Sequence, residues 1–474
     1  MSRIMVDDSY EMGMVGLGVM GRNLALNMVD KGFSVAGYDV DGQKVEALDR
    51  ESGGHGALGT RSAKELVSAL RKPRAIMMMV PAGAPVDAAI AGLLPYLEGG
   101  DILIDGGNSH FVETDGRSRT LGDKGILYLG VGISGGERGA RLGPSIMPGG
   151  AEEGYARVRP IFETIAASVD GEACAAYMGP GSAGHYVKMV HNGIEYGIMQ
   201  LIAESYHIMK IGLALSNEQL GEVYASWSTS ALKGYLMEIT ARIFSRKDEG
   251  TGRFLIDVIL DEAKEKGTGK WAAQDAMELR VPLPTIDMAV FMRDLSDRRE
   301  ERRKTHGLIP GPEHRLDEEA GRFVDILREA LRISFVATYA QGMAQLRSAS
   351  HAHGYGLKLD EVARIWRGGC IIRSGMLEPI RQAFHEEPDL PGLLLHPIFA
   401  GIVAKGQADL RRVVAAASGH AIPVAALASS LAYVDGYRSA WLPANLVQAQ
   451  RDYFGSHMYR RVDKDGLFHT QWEE

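Results

Sequence analysis

From Met12 to about Pro180, short apolar runs alternate with amphipathic stretches. The runs MGMVG, FSVAGYD, AIMMMVP, DILIDGG and ILYLGVGI each end in glycine or turn residues and read as strands. Strands interleaved with helical spacing predict βαβ units around a parallel sheet. After MGPGSAGH the pattern changes to long Ala-, Met- and Leu-rich segments at helical spacing, with few β-branched runs, as far as roughly Ala440. That stretch is expected to be all helix. Within it, Gln200-Leu201, Glu222-Val223 and Trp227 are echoed by Gln345-Leu346, Glu361-Val362 and Trp366, a weak sign of a duplicated unit. The closing stretch from Trp441 is rich in aromatic and turn residues and too short to fold alone, so it is expected to pack on another surface, such as a second subunit. The expected division is a doubly wound, Rossmann-like α/β unit over 1–181, an all-α unit over 182–440 and a short tail over 441–474.

Composition narrows the function. With 474 residues and 45% apolar content the chain can bury a large core and exceeds one typical domain. A net charge of -8 and a pI near 6.0 argue against nucleic acid or an anionic membrane as partner, so an anionic ligand must meet a local basic pocket. Cys174 and Cys370 are the only cysteines and form no CxxC, which leaves neither a disulfide framework nor a zinc site. The first residues carry Asp7, Asp8 and Glu11 where a secretory signal is apolar, and no run approaches the 18 or so apolar residues of a membrane span. A cytoplasmic location is expected.

The segment Gly16-Leu17-Gly18-Val19-Met20-Gly21 follows the strand-like MGMV and opens the helical run RNLALNMVDKG. This is the order that a pyrophosphate cradle needs. The first glycine makes the tight turn, the second admits phosphate to the backbone, and the third lets helix pack on strand. Asp39 ends the next strand, where a carboxylate accepts hydrogen bonds from the adenosine ribose and repels a 2′-phosphate; Val40, Asp41, Gly42 and Gln43 follow, with no arginine among them. Gly16, Gly18, Val19, Met20, Gly21 and Asp39, with Val80 and Asn108 from later strand ends, are the candidate cofactor residues, and the electrostatics lean to NAD.

In GHYVKMVHNGIEYGIMQLIAE, Lys188, His191, Asn192 and Glu195 fall at i, i+3, i+4 and i+7, so all four share one helix face. A solvated polar face would have the same spacing, but histidine and asparagine between opposite charges are poor helix formers and suit a wall that faces a ligand. A buried lysine loses its charge readily and can take a hydroxyl proton as hydride departs, which makes Lys188 the candidate base. A carboxyl kept protonated by a dry site can return a proton, which makes Glu195 the candidate acid. No HExxH or carboxylate cluster suggests a metal, so carbonyl polarisation falls to Lys188 and Asn192.

Seven segments in order, GLGVMGRNLALN, LIDGGNS, GISGGERGARLGPSIMPGG, VKMVHNGIEYGIMQLIAE, KGTGKW, IWRGGCIIRS and QAQRDYFGSHMY, resemble the decarboxylating 6-phosphogluconate dehydrogenases over essentially the whole chain. The resemblance implies oxidation of 6-phosphogluconate at C3 with NADP or NAD, loss of carbon dioxide and protonation of an enediol to ribulose 5-phosphate. It assigns Lys188 as base and then acid, and Glu195 as enediol proton donor. It places Asn108, Ser134, Gly135, Gly136, His191 and Asn192 on the sugar acid, with the SGG backbone as a small anion nest. The phosphate falls to Tyr196, Lys266, Thr268 and Arg293, joined by Arg451 and His457 from the partner's tail in a homodimer. Without the resemblance, Lys266 and Arg293 read as solvated charge in DEAKEK and DRREERRK. KGTGKW is not a Walker loop, because Trp271 stands where Ser or Thr is required. Members that use NADP typically carry Asn-Arg-Thr after the second strand and lysine at Pro81; this chain has Asp39-Val40-Asp41 and proline. Two rivals differ in kind. A β-hydroxyacid dehydrogenase would lack the second helical half and the RDYFGSH tail, and a silent dinucleotide-binding regulator would have no use for Lys188, Asn192 and Glu195 together.

Overall fold

The computed structural model describes residues 9–265 and 267–473. Seven short runs form one sheet: β1 (Met12–Val15), β2 (Val35–Tyr38), β3 (Ala57–Thr60), β4 (Ala75–Met78), β5 (Ile102–Asp105), β6 (Leu127–Ser134) and β7 (Ser145–Gly150), ordered β3-β2-β1-β4-β5-β6-β7. The first six are parallel, and between β1 and β4 the order reverses, which opens a crevice at the carboxyl ends of the strands. β3 and β7 are not anticipated by the alternation. β3 is a four-residue edge strand, and β7 (SIMPGG) combines a proline with two glycines. β7 runs antiparallel to β6 at the sheet edge, and the Pro148 carbonyl points away from β6 to accept the N–H of Met178 at 2.7 Å. The nitrogen without a hydrogen faces that same open side, where no strand needs it.

Helices α1 (Val19–Asp30), α2 (Gly42–Glu51), α3 (Ala63–Ala69), α4 (Ala84–Leu93), α5 (Phe111–Gly122), α6 (Gly136–Leu142) and α7 (Glu152–Ile165) accompany the sheet. They enclose two cores, one around Met12, Met14, Leu24 and Ile104, the other around Leu66, Ile76, Met78 and Leu103. A helical body follows: α8 (Ala183–His207), α9 (Asn217–Ser228), α10 (Tyr235–Ile243), α11 (Thr268–Glu278), α12 (Pro284–Ser296), α13 (Arg299–Leu308), α14 (Ala320–His353), α15 (Leu359–Trp366), α16 (Leu377–Glu386), α17 (Pro397–Gly419) and α18 (Ala425–Arg438). Helix continues past Ala440, in α19 (Ala444–Gly455). The echoed segments lie on corresponding elements: Gln200 and Gln345 sit on the long helices α8 and α14, and Trp227 and Trp366 are buried near the ends of the short helices that follow each.

α8 is the pivot. It packs against β6 and β7 on one side and against α11, α12, α14 and α18 on the other. Such a helix is apolar nearly all round, and its polar residues are the exceptions to explain. Glu204 is one of them. It is 2% exposed and caps α18, its carboxylate accepting the N–H groups of Ala426 at 2.8 Å and Leu427 at 2.9 Å and the Gln200 amide at 3.0 Å. The tail is organised separately: Asp452, fully buried, accepts Met458 N–H at 2.9 Å, Thr470 N–H at 3.1 Å, the Trp472 indole at 2.9 Å and the His469 ring at 3.0 Å. Burial alone would raise its pKa, but these donors hold it down to about 2.

Burial drives Glu204 up to about 7 from an ordinary 4.5, against its hydrogen bonds. The folded state therefore keeps its proton to higher pH than the unfolded chain, so stability falls as pH rises through that interval. Glu204→Gln is expected to lose about 1 kcal/mol of capping at all pH values while escaping this fall. Its Tm deficit, followed by calorimetry from about pH 5 to about pH 8, should narrow with rising pH.

Candidate active site

The glycine turn between β1 and α1 matches the three roles expected of it. Gly16 has φ +90°, and a Cβ there would lie 2.5 Å from the Met79 carbonyl; one at Gly21 would lie 1.9 Å from the Gly16 carbonyl; one at Gly18 would meet nothing within 4 Å. The open side is at the middle glycine, where α1 begins with no side-chain cap, so its first N–H groups are free for an anion. A cleft of roughly 710 Å³ continues from this turn, lined by Val19, Met20, Asp39, Val80 and Pro81 and by Ala63, Pro85, Ala88, Ala89 and Gly92. The last five form an apolar slot that sequence reasoning missed; the one trace of it is the small-residue face of APVDAAIAGL.

Asp39 is held by the backbone: Oδ2 accepts Leu17 N–H at 2.7 Å and Oδ1 accepts Asp41 N–H at 2.9 Å. Lys44, which the sequence reading also passed over, lines the same cleft with its Nζ 3.5 Å from Asp39 and 3.8 Å from Asp41. Two carboxylates against one ammonium leave this end of the cleft net negative.

The loop after β5 lies against the wall of this cleft. A Cβ on Gly107 would lie 3.0 Å from the Val80 carbonyl, so the loop that carries Asn108, exposed after β5, abuts the cleft wall. Ser134 ends β6 with Oγ 3.1 Å from His191 Nε2, and accepts the N–H of Ile371 at 3.4 Å. Gly135, with φ +113°, and Gly136 start α6, and Gly136 has open space beside it. On α8, Lys188 Nζ is 3.4 Å from His191 Nδ1, Asn192 Oδ1 is 3.1 Å from the same nitrogen, and a Glu195 carboxylate oxygen is 3.8 Å away. The four residues spaced along one face do form a cluster.

Burial tunes the cluster. It pushes Lys188 down, against the pull of Glu195, and pushes Glu195 up, against the nearby charges of Lys188 and Arg293. His191 is held well below its ordinary value by burial and by Lys188, so it is neutral. Burial thus shifts the amine towards its uncharged form and the carboxyl towards its protonated form. The Cys370 thiol near Lys188 is pushed up to about 12 by burial, which leaves it a poor nucleophile at neutral pH.

Farther along α8, the Tyr196 ring has the Arg293 guanidinium 3.4 Å from its centroid, and Thr268 is buried at the start of α11. Lys266 lies outside the described residues. Arg451 and His457 do not join the cluster in the protomer. Arg451 donates to Gln448 Oε1 at 3.0 Å and His457 packs on Phe454, both within the tail, and α19 makes no substantial packing contact with another described element.

Two family models cover nearly all of the chain: the NAD binding domain of 6-phosphogluconate dehydrogenase matches residues 11–179 and the 6-phosphogluconate dehydrogenase C-terminal domain matches residues 184–472. The chain belongs to the 6-phosphogluconate dehydrogenase family. It is 52% identical over 463 residues to the NADP(+)-dependent, decarboxylating 6-phosphogluconate dehydrogenase of Bacillus subtilis (98% of this chain, 99% of that one). It is 48% identical over 463 residues to the decarboxylating 6-phosphogluconate dehydrogenase of Escherichia coli, with the same coverage. Its fold matches the 6-phosphogluconate dehydrogenase of Plasmodium falciparum with a TM-score of 0.93 at 42% identity, over 98% of this chain and 100% of that one.

What holds Lys188 in place in this family member is a close seat on the sheet. A Cβ on Gly132 would lie 2.4 Å from Lys188 Cβ. Gly132→Ala is therefore expected to displace the amine and lower kcat by ~10²-fold, with dinucleotide affinity, measured by fluorescence titration, within a few-fold of wild type.

Proposed function

We propose that this protein oxidises 6-phosphogluconate at C3 and releases its C1 carboxyl as carbon dioxide, leaving ribulose 5-phosphate. The observation that carries the reading is the α8 stripe: an amine with a lowered pKa and a carboxyl with a raised one share a buried face with His191 and Asn192, beside Ser134. The falciparum protein, described with NADP+ as its cofactor and 6-phosphogluconate as its substrate, supports the choice of substrate.

Neutral Lys188 takes the C3 hydroxyl proton as hydride leaves C3. The dinucleotide, when bound along the Gly16–Gly21 turn and Asp39, supplies the hydride acceptor. Lys188, now charged, hydrogen-bonds the C3 carbonyl and draws electrons towards it as the C1–C2 bond breaks. Lys188 then passes its proton to the C3 oxygen, completing the enediol; Glu195, in its protonated form, gives a proton to C2 while Lys188 takes back the C3 hydroxyl proton, which leaves the ketone. Asn108, Ser134, the Gly135 and Gly136 backbone, His191 and Asn192 hold the hydroxyls and carboxylate. Tyr196, Thr268 and Arg293, with Lys266, hold the phosphate, and the Tyr196 ring keeps the Arg293 fork in place.

Asp39 supports NAD over NADP. Both of its oxygens retain a lone pair for ribose hydroxyls, and with Asp41 it outweighs Lys44 where a 2′-phosphate would sit. The Bacillus relative, named as NADP(+)-dependent, pulls the other way. Reduction of NAD and of NADP with 6-phosphogluconate, without added metal, separates these readings when reduced nicotinamide and carbon dioxide are followed together. We expect a higher kcat/KM with NAD and one carbon dioxide per reduced cofactor; a preference for NADP would remove the Asp39 argument, and reduction of neither would favour a silent dinucleotide-binding protein.

The protein also forms a homodimer in this reading, with Arg451 and His457 of each tail completing the phosphate site of the other subunit. The exposed Trp441, Leu442, Leu446, Val447 and Phe454 on the approach to and along α19 support it, because apolar side chains gathered on one element call for a partner. Lys188→Ala should abolish hydride transfer, and Arg451→Ala should raise KM. Mixed dimers of the two variants should regain activity at one intact site per dimer; no recovery over either parent would place Arg451 outside the partner's site.

A further inference from the structure

Beneath the reacting groups runs a set of buried polar side chains that the mechanism above leaves unused. Asp105 ends β5 with 0% exposure. Its Oδ1 accepts the Gly107 N–H at 3.0 Å, and its Oδ2 accepts the hydroxyls of Ser109 at 2.6 Å and Tyr128 at 3.2 Å. The carboxylate thereby clasps the loop that carries Asn108. Arg117 on α5 approaches from the other side, with Nη1 3.9 Å from Asp105 Oδ2. Its Nη2 donates to the Gly83 carbonyl at 3.2 Å and its Nε donates to Asp87 at 2.7 Å, so it holds the segment that follows Val80 and Pro81 on the dinucleotide cleft.

The third member is His185, one turn before Lys188 on α8 and 2% exposed. Its Nε2 lies 3.0 Å from the Asp105 carbonyl and its Nδ1 lies 2.7 Å from Thr114 Oγ1 on α5. A carbonyl only accepts, so Nε2 carries the hydrogen; burial keeps the ring neutral, so Nδ1 accepts from the Thr114 hydroxyl. One tautomer satisfies both partners. Burying a carboxylate, a guanidinium and an imidazole is a poor way to gain stability, because apolar residues of similar size would do as well. What these groups do supply is fixed direction between the three segments that must meet for hydride transfer.

We infer that Asp105, Arg117 and His185 are positioning residues that lock the cofactor-side loop, the Asn108 loop and the helix of Lys188 in one register. The inference rests on the reading of Lys188 as the base. His185→Phe keeps the ring and removes both hydrogen bonds, and His185→Gln keeps a donor for the Asp105 carbonyl. For His185→Phe we expect kcat with 6-phosphogluconate to fall about 10- to 100-fold, with dinucleotide affinity within a few-fold. The deuterium isotope effect on kcat with substrate labelled at C3 should rise, and His185→Gln should recover part of both.

Hydrogen exchange provides an arm that needs no turnover: amides at 106–109 should exchange faster in the Phe variant although the substitution is on α8. A folded Phe variant with wild-type kcat, isotope effect and exchange would overturn the inference, as would a loss of kcat with the isotope effect and exchange unchanged. Failure of the wild-type protein to turn over 6-phosphogluconate would strike the functional reading instead, and the exchange result would still judge the coupling. Should the Phe variant not fold, Thr114→Val removes the Nδ1 partner, together with that hydroxyl's longer contact to the His110 carbonyl at 3.3 Å, and is read by the same measurements.

Discussion

The arrangement turns on how closely α8 approaches the sheet. A Cβ on Gly184 would lie 2.2 Å from the Gly130 carbonyl and 2.3 Å from that of Met147; one on Gly149 would meet the Gly184 nitrogen at 2.3 Å. Backbone therefore packs on backbone where β6 and β7 meet the first turns of α8. A side chain at these points would push the helix outward, and interiors packed like crystals cannot absorb such a shift locally. The seat fixes both the depth and the rotation of α8, and hence which way Lys188, His191, Asn192 and Glu195 face. It also explains why the sheet needs its antiparallel seventh strand: β7 supplies half of the seat.

Depth has an electrostatic consequence. An ionised amine in water gains nothing from becoming neutral, but one buried on a helix enclosed by β6, β7, α11, α12 and α14 loses hydration on every side. Desolvation acts on Lys188 and Glu195 with opposite sign, towards the uncharged form of each, while their mutual attraction opposes it. Because desolvation leads in both, each group is shifted towards its uncharged form, as the proposed proton transfers require. The packing that seats the helix therefore also shifts both groups on it.

Much of this was legible in the sequence because it rests on local periodicity. The five expected strands follow from short apolar runs closed by glycine or turn residues, and the helical body and the α8 stripe from spacings of three and four residues. The glycine turn was readable because its three positions have separable steric duties. Other features depend on contacts distant in sequence and leave no local trace. β7 contradicts strand propensity and exists because β6 pairs with it; Lys44 reads as ordinary helix surface until α2 folds it back over Asp39; Asp105 and His185 look like a strand end and a helix start until the fold places them 3.0 Å apart. The helical run past Ala440 was missed because turn and aromatic residues surround α19, and its apolar face makes no substantial packing contact with another described helix or strand.

That exposed face bears on how the proposed dimer would complete a phosphate site. Asp452 gathers Met458, Thr470, His469 and Trp472 around one buried carboxylate, so the tail is ordered by its own hydrogen bonds. A flexible tail would lose that conformational freedom on every docking event, at roughly 1–2 kcal/mol per residue fixed. A tail ordered beforehand avoids most of this cost, so the exposed Leu446, Val447 and Phe454 can contribute their burial almost in full to association. In the proposed dimer, Arg451 would then arrive on a rigid arm rather than a loose one. A guanidinium that must meet a phosphate already faced by Arg293 gains from such rigidity, because two like charges converge on the site only if their placement is fixed before substrate enters.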